Sequence, residues 1–267
     1  MNDDYNRDAG SHYHNADAEI STGLAEAEDM SRTFMNRVYA WMAGGLIITG
    51  IVAYLVCTAM MNNRPVIDTA TGVIVNEGSI FWSSSFILFA IIAEFGLVLW
   101  LSFGIMKMSP QIAGICFLVY SALTGITLAP VLMAYTQASV YSAFFAAAGT
   151  FAATSLFGYL TNRDMSGIGA FCFMGLIGVI IASIVNMFFK NEGVAMILSY
   201  VSVVIFTGLT IYDTQKLKLL GRGISEDGED AAENQNFHRV AIIGALQLYL
   251  DFINLFLALL RILGKRR

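Results

Sequence analysis

The sequence has 267 residues, 57% of them hydrophobic and only 13% charged, with a formal net charge of −5. Soluble domains carry about 25% charged residues, and the mean hydropathy here is +0.65. This excludes an ordinary water-soluble domain and implies a polytopic membrane protein, for which no nucleic-acid partner is expected.

Residues 1–33 are polar, so no secretory signal peptide opens the chain. Eight acids and a single base, Arg7, fall in 1–30, and five more acids fall in 221–238. Both stretches read as water-facing, and 1–33 reads as an acidic, disordered cytoplasmic tail ahead of a membrane domain over 34–267. SEDGEDAAEN (225–234) lacks the alternating ligand spacing of an EF-hand loop. His12 and His14 lie in the tail, and His238, beside Arg239, reads as a surface histidine.

Seven apolar segments follow, near 36–61, 80–106, 111–135, 138–160, 168–189, 194–214 and 240–262. Each is long enough to cross about 30 Å of hydrocarbon as a helix. Only helices satisfy the backbone there, because an open sheet edge has no water to bond. The longest connections are 62–79, with its turn-like NNRPVIDTATG, and the acidic 215–239. The expected fold is all-α, a single helical bundle. Repeated glycines such as Gly44, Gly45, Gly125, Gly208 and Gly244 suit close helix packing in lipid. Pro130 either bends the third helix or marks its end. The three cysteines, Cys57, Cys116 and Cys172, lie in apolar runs without a CxxC spacing, so no disulfide framework is expected.

Nine Lys and Arg residues gather on the side of the N-terminus, among them Arg32, Arg37, Lys107, Arg163 and Arg222. The opposite loops hold only Arg64 and Lys190, which puts the N-terminus in the cytoplasm. Arg261, Lys265, Arg266 and Arg267 break this bias if the seventh segment spans fully. A re-entrant last segment removes the conflict, but 240–262 is long and free of proline, which favours seven spans.

Two acids inside the last two segments are the residues most in need of explanation. Asp213 sits in GLTIYDTQK and Asp251 in ALQLYLDFINLFLALL. A charge at the bilayer centre costs roughly 2.5–3.5 kcal/mol or more, so such acids mark functional sites. Gln247, Asp251, Asn254 and Arg261 share one face of the last helix. Ser199, Ser202, Phe206, Thr210 and Asp213 line a largely polar face of the sixth. Two carboxyls meeting in a low dielectric share a proton, and such a pair senses pH. Protonated, it bonds helix to helix; ionised, it repels or takes up a hard cation such as calcium, transiently. The competing reading of Asp213 is a surface pair with Lys216 or Lys218. Glu94, in the second segment, is either functional or an acid bonded to Ser, Thr or backbone. Tyr249 lies off the polar face and reads as a packing aromatic, and Asn186 reads as an interhelical hydrogen bond.

TGITLAPVL (124–132), IYDTQKLK (211–218) and LYLDFINLFLALLRILG (248–264) resemble the signatures of the Bax inhibitor-1 family, and EFGLVLWLSF (94–103) fits its second span. The resemblance covers 34–264 and implies a bacterial-type member. It further implies seven helices with the last at the centre, and a pH-sensitive passive calcium leak gated by Asp213 and Asp251. Glu94 matches a family glutamate. The family's basic latch falls at Ile105 here, with Lys107 two residues on as a substitute. Gln247 and Asn254 would be supporting polar groups along the path.

The resemblance implies no cofactor, with calcium as permeant ion, protons and the bilayer as partners, and a bacterial cytoplasmic membrane as location. A second reading is a non-conducting regulator that binds a membrane protease or stress and cell-death machinery. An intramembrane aspartyl protease is disfavoured, since the second acid sits in LYLD (248–251) and not in a GxGD motif. No nucleotide loop, HExxH or nucleophile elbow appears, so no enzyme activity is expected.

Overall fold

The computed structural model describes the backbone of residues 3–63, 66–67, 74–76, 80–226 and 235–267, and side chains from Ser21 onward within those ranges except for a few beside the gaps. Seven α-helices follow one another: α1 (Asp3–Asn62), α2 (Ser84–Gly104), α3 (Pro110–Met133), α4 (Gln137–Leu160), α5 (Ser166–Phe189), α6 (Glu192–Glu226) and α7 (Gln235–Leu263). All seven contain stretches long and apolar enough to cross a membrane. Between α1 and α2 stands a small antiparallel pair, β1 (Val66–Ile67) and β2 (Ile74–Asn76), where the sequence suggested only a turn.

α7 is central. In its most apolar window 67% of residues are buried, against 11% for α2 and for α5. α1, α3, α4 and α6 all pack against it. Its cluster of Leu246, Leu248, Tyr249 and Leu255 is almost fully inaccessible. α2 and α5 instead turn large side chains such as Phe95, Trp100, Phe171 and Phe188 outward. In lipid this pattern carries no desolvation cost, because tails and side chains are equally apolar. α7 is also one unbroken helix, which removes the re-entrant alternative.

The bundle has two ends. At the tail face α1 enters and α6 passes into α7; at the far face α1 and α7 finish. Two helices run further at the tail face than their apolar patterns suggest. α6 continues twelve residues past 214, because Gly221 and the Lys218 carbonyl pack against α1 and Leu217 against Gly244 of α7. Ser31 Oγ donates to the Lys218 carbonyl at 2.9 Å, and Phe34 meets Phe237 edge to face at 5.3 Å. The packed domain therefore begins near Ser31, slightly before the expected boundary, and residues 21–33 continue α1 as helix. The expected tail side chains up to residue 20, and most of the acidic 227–234 connection, lie outside the described residues.

Local chemistry sets the helix ends. Ser109 caps α3 by accepting from the Ile112 N–H, with Pro110 at the first helical position. Thr136 caps α4 through the Ser139 N–H. Pro130 is inside α3, one turn from its end. Asn186 does not bridge helices: its amide donates to the Asn191 carbonyl and its oxygen accepts from the Asn191 N–H, closing the α5–α6 turn around left-handed Lys190. A short polar side chain beside a turn bonds locally before it can reach a neighbour.

Candidate functional site

Asp213 of α6 and Asp251 of α7 lie close together where the two helices meet, near enough for their carboxyls to act on each other. An ionised carboxylate only accepts, so two carboxyls this close can bond to each other only by sharing a proton. Asp251 is 5% exposed, and its Oδ2 is buried without a hydrogen-bond partner. Leaving a buried oxygen so uncompensated costs about 1–3 kcal/mol. Cys172 of α5 adjoins Asp251, and the Tyr212 ring lies on Gly169 of α5, where no β-carbon would fit. Small residues thus let α5 close over the pair.

Neither lysine is bonded to Asp213, although the charge of Lys216 acts on it. Lys218 Nζ donates to the Tyr159 carbonyl at 2.7 Å, and Lys216 is exposed, its ammonium 6.0 Å from the Tyr212 ring centre. Among the described residues the recorded ion pair is Arg266–Glu192, at the far face. Lys107 is also exposed, in a single 3-10 turn after α2, while Ile105 is buried.

On the tail side of the pair, polar bonds tie α6 to the α4–α5 connection. Gln215 Nε2 donates to the Arg163 carbonyl at 2.6 Å, and the Met165 N–H donates to Gln215 Oε1 at 3.0 Å. Thr214 Oγ1 lies 3.0 Å from Ser155 Oγ, which in turn lies 2.5 Å from the Tyr39 hydroxyl. On the other side a cavity of about 320 Å³ opens between α5, α6 and α7. Ser199, Ser202, Asn254 and Arg261 give it polar walls, and Phe206 lies at its edge. Asn254 also donates to the Leu250 carbonyl at 2.8 Å. Gln247 is half-buried one turn before Asp251. The pair therefore sits between a polar cavity and a hydrogen-bonded closure.

Glu94 belongs to a second polar cluster. Thr124 Oγ1 donates to Glu94 Oε1 at 2.7 Å and Thr127 Oγ1 to Oε2 at 2.9 Å, with Tyr120 alongside. Tyr249 extends it: its hydroxyl lies 2.6 Å from Thr49 Oγ1, and its ring meets Phe117 and Tyr120 edge to face. Tyr249 is thus more than a packing aromatic. Ser121, Thr124 and Thr127, three residues apart in an apolar helix, were the available signal. His238 is likewise not a free surface group, since Arg37 Nη1 donates to its Nδ1 at 2.5 Å.

Among the described residues no three His, Cys, Asp or Glu side chains gather to hold a metal. Two carboxyls offer four oxygens, whereas calcium takes six to eight. The donor set suits passing contact with a hydrated cation better than a resident ion.

Residues 31–267 match the family model described as inhibitor of apoptosis-promoting Bax1. The chain is 44% identical over 236 residues to the inner membrane protein YbhL of Escherichia coli K12, covering 88% of this chain and 93% of that one. It is 41% identical over 234 residues to a Borreliella burgdorferi protein, covering 88% and 92%. A Streptococcus pyogenes membrane protein is 35% identical over 232 residues, covering 87% and 92%. With the central α7, the paired acids and these matches along the membrane domain, the chain belongs to the Bax inhibitor-1 family.

Proposed function

We propose that the protein is a passive, pH-sensitive calcium leak in a bacterial cytoplasmic membrane, with its N-terminus cytoplasmic and with Asp213 and Asp251 as the gate. The observation that carries this reading is the closeness of two carboxyls at the α6–α7 seam, one of them buried with an uncompensated oxygen, Asp251 Oδ2. While one proton remains, the pair bonds α6 to α7. When it leaves, two negative charges face each other in a medium of low dielectric. Their repulsion loosens the seam and favours a divalent cation between them. The polar cavity lined by Ser199, Ser202 and Asn254 supplies the approach. The flux should therefore rise with pH.

Dye-loaded liposomes carrying the purified protein test this between about pH 6 and 8, where a shared proton is exchanged. Asp213→Asn and Asp251→Asn keep a bonding group but lose the second charge, so each should give low flux that ignores pH. Flux equal to that of empty liposomes at every pH, with folded protein, would falsify the leak.

One observation favours a second reading. The part of α1 from Ser21 to Asn62 runs 42 residues, about twice what a bilayer needs. Its exposed first part, residues 21–30, offers a helical arm to a membrane protease or another regulatory partner. Absence of flux together with specific capture of such a partner would support a non-conducting regulator.

A further inference from the structure

A groove of about 500 Å³ opens on the side of the bundle, on the face of α7 that carries Phe252, Ile253 and Phe256. α1 and α4 touch near the tail face through Tyr39 and Ser155, then leave a gap toward the far face. α7 and α3 floor that gap with Phe252, Phe256, Leu128 and Leu132. On α1 the wall runs from Leu46 to Met61, about 22 Å of helix. That is more than the depth of one leaflet's hydrocarbon, about 15 Å, so an acyl chain fits along it. Exposed Tyr54 and Phe145 flank the opening, so the groove faces lipid along its length.

The end of the groove is different in kind. Arg267 lines it at the far face, near enough to Cys57 for its charge to act there. Lys265 and Arg266 precede it, and all three are exposed. The C-terminal segment is held there by backbone bonds: the Thr136 N–H donates to the Lys265 carbonyl and the Arg267 N–H to the Ala134 carbonyl, each at 3.0 Å. A leaflet-deep apolar trough ending at the exposed cations Arg267 and Lys265, with Arg266 paired to Glu192, matches one kind of occupant, an anionic lipid. A partner helix would fill the trough but would leave the cations at its end unused.

We propose that this groove is a binding site for one anionic glycerophospholipid of the surrounding leaflet. One acyl chain lies between α1 and α4, and the phosphate sits at Arg267. Gly50 is the means of testing it. It lines the groove, and a β-carbon there would meet nothing within 4 Å. A larger side chain at this position occupies the trough without disturbing protein packing.

Native mass spectrometry of the full chain in detergent, with added dioleoyl-phosphatidylglycerol or dioleoyl-phosphatidylcholine, gives the readout. The wild-type protein should keep one phosphatidylglycerol in preference to phosphatidylcholine. Gly50→Leu should lose that lipid at an unchanged melting temperature. Arg267→Gln should keep a lipid but lose about fivefold of the preference, the worth of one interfacial cation near 1 kcal/mol. Photo-crosslinking of wild-type protein by phosphatidylglycerol carrying a diazirine at the chain end should label Thr49 and Ile253. Equal retention of the two lipids, full retention by Gly50→Leu, labelling spread evenly over α2 and α5, or a second copy of the chain crosslinked through the groove would each overturn the proposal.

Discussion

Gly158 of α4 lies directly against the carbonyl of Ile211 on α6, with no room for a β-carbon between them. This contact sits two residues before Asp213, so the spacing between α4 and α6 sets where the acid stands. Gly158→Val should push the helices apart and lower stability by about 1–3 kcal/mol, the usual cost of overpacking. Gly149, on the same helix, meets nothing within 4 Å, so Gly149→Ala should be nearly neutral. Thermal unfolding in detergent compares the two. Equal melting temperatures would mean that the close approach carries no weight.

The polar clamp on the tail side should show in local dynamics. Gln215 holds the α4–α5 connection through the Arg163 carbonyl and the Met165 N–H. Gln215→Ala leaves those groups without their partner, at about 1–3 kcal/mol. Hydrogen exchange should quicken across 161–165 while the centre of α7 stays protected. If exchange in the connection is unchanged, the clamp is not what orders it.

Glu94 should prove less critical than a buried acid usually is. Its donors have other acceptors: Thr124 also reaches the Tyr120 carbonyl at 3.1 Å, and Thr127 the Thr124 carbonyl at 3.1 Å. Glu94→Ala lets both hydroxyls fall back on their own helix. The expected loss is about 1 kcal/mol, with the pH profile of any flux retained. A profile shifted by Glu94→Gln would instead tie this cluster to the gate.

Asp164, outside the membrane spans, offers a pH measurement independent of flux. The Ser166 hydroxyl and the Ser166 N–H both donate to its Oδ1, holding its carboxyl below the usual range. A lowered value means that its small stabilising effect is present above about pH 4 and fades as pH falls through the lowered value. Ser166→Ala should move the carbon-13 titration of Asp164 upward toward the ordinary carboxylate value. No movement would mean that the turn at the start of α5 does not involve the hydroxyl.

The paired acids were legible in the sequence because a charge is so out of place in LYLDFINLF that it identifies itself. The seven spans were legible for the same reason in reverse, as unbroken apolar runs. What hydropathy could not give was anything decided by contact with another helix. α6 continues past its apolar stretch because Gly221 finds Phe34 of α1 and Leu217 finds Gly244 of α7, which no window on α6 alone reveals. Tyr249 looked like packing because its partner, Thr49, is 200 residues away in the chain. Asn186 failed in the opposite direction, bonding five residues ahead instead of across the bundle.

The bridge between Tyr135 and Arg266 fastens one end of α7 to the turn joining α3 and α4, and Lys265 N–H adds a bond to Ser139 Oγ at 2.9 Å. Asp251 lies about 20 Å up the helix from that fastening. α7 is thereby a lever with its fulcrum at the far face. A swing of about 3° there carries the Asp251 carboxyl sideways by about 1 Å, enough to break a hydrogen bond. The same swing displaces the opposite end of the helix, at Phe237 and His238, by roughly twice as much. In the proposed gate, loss of one proton at mid-membrane would in this way be read out as movement on the face where α7 meets α1.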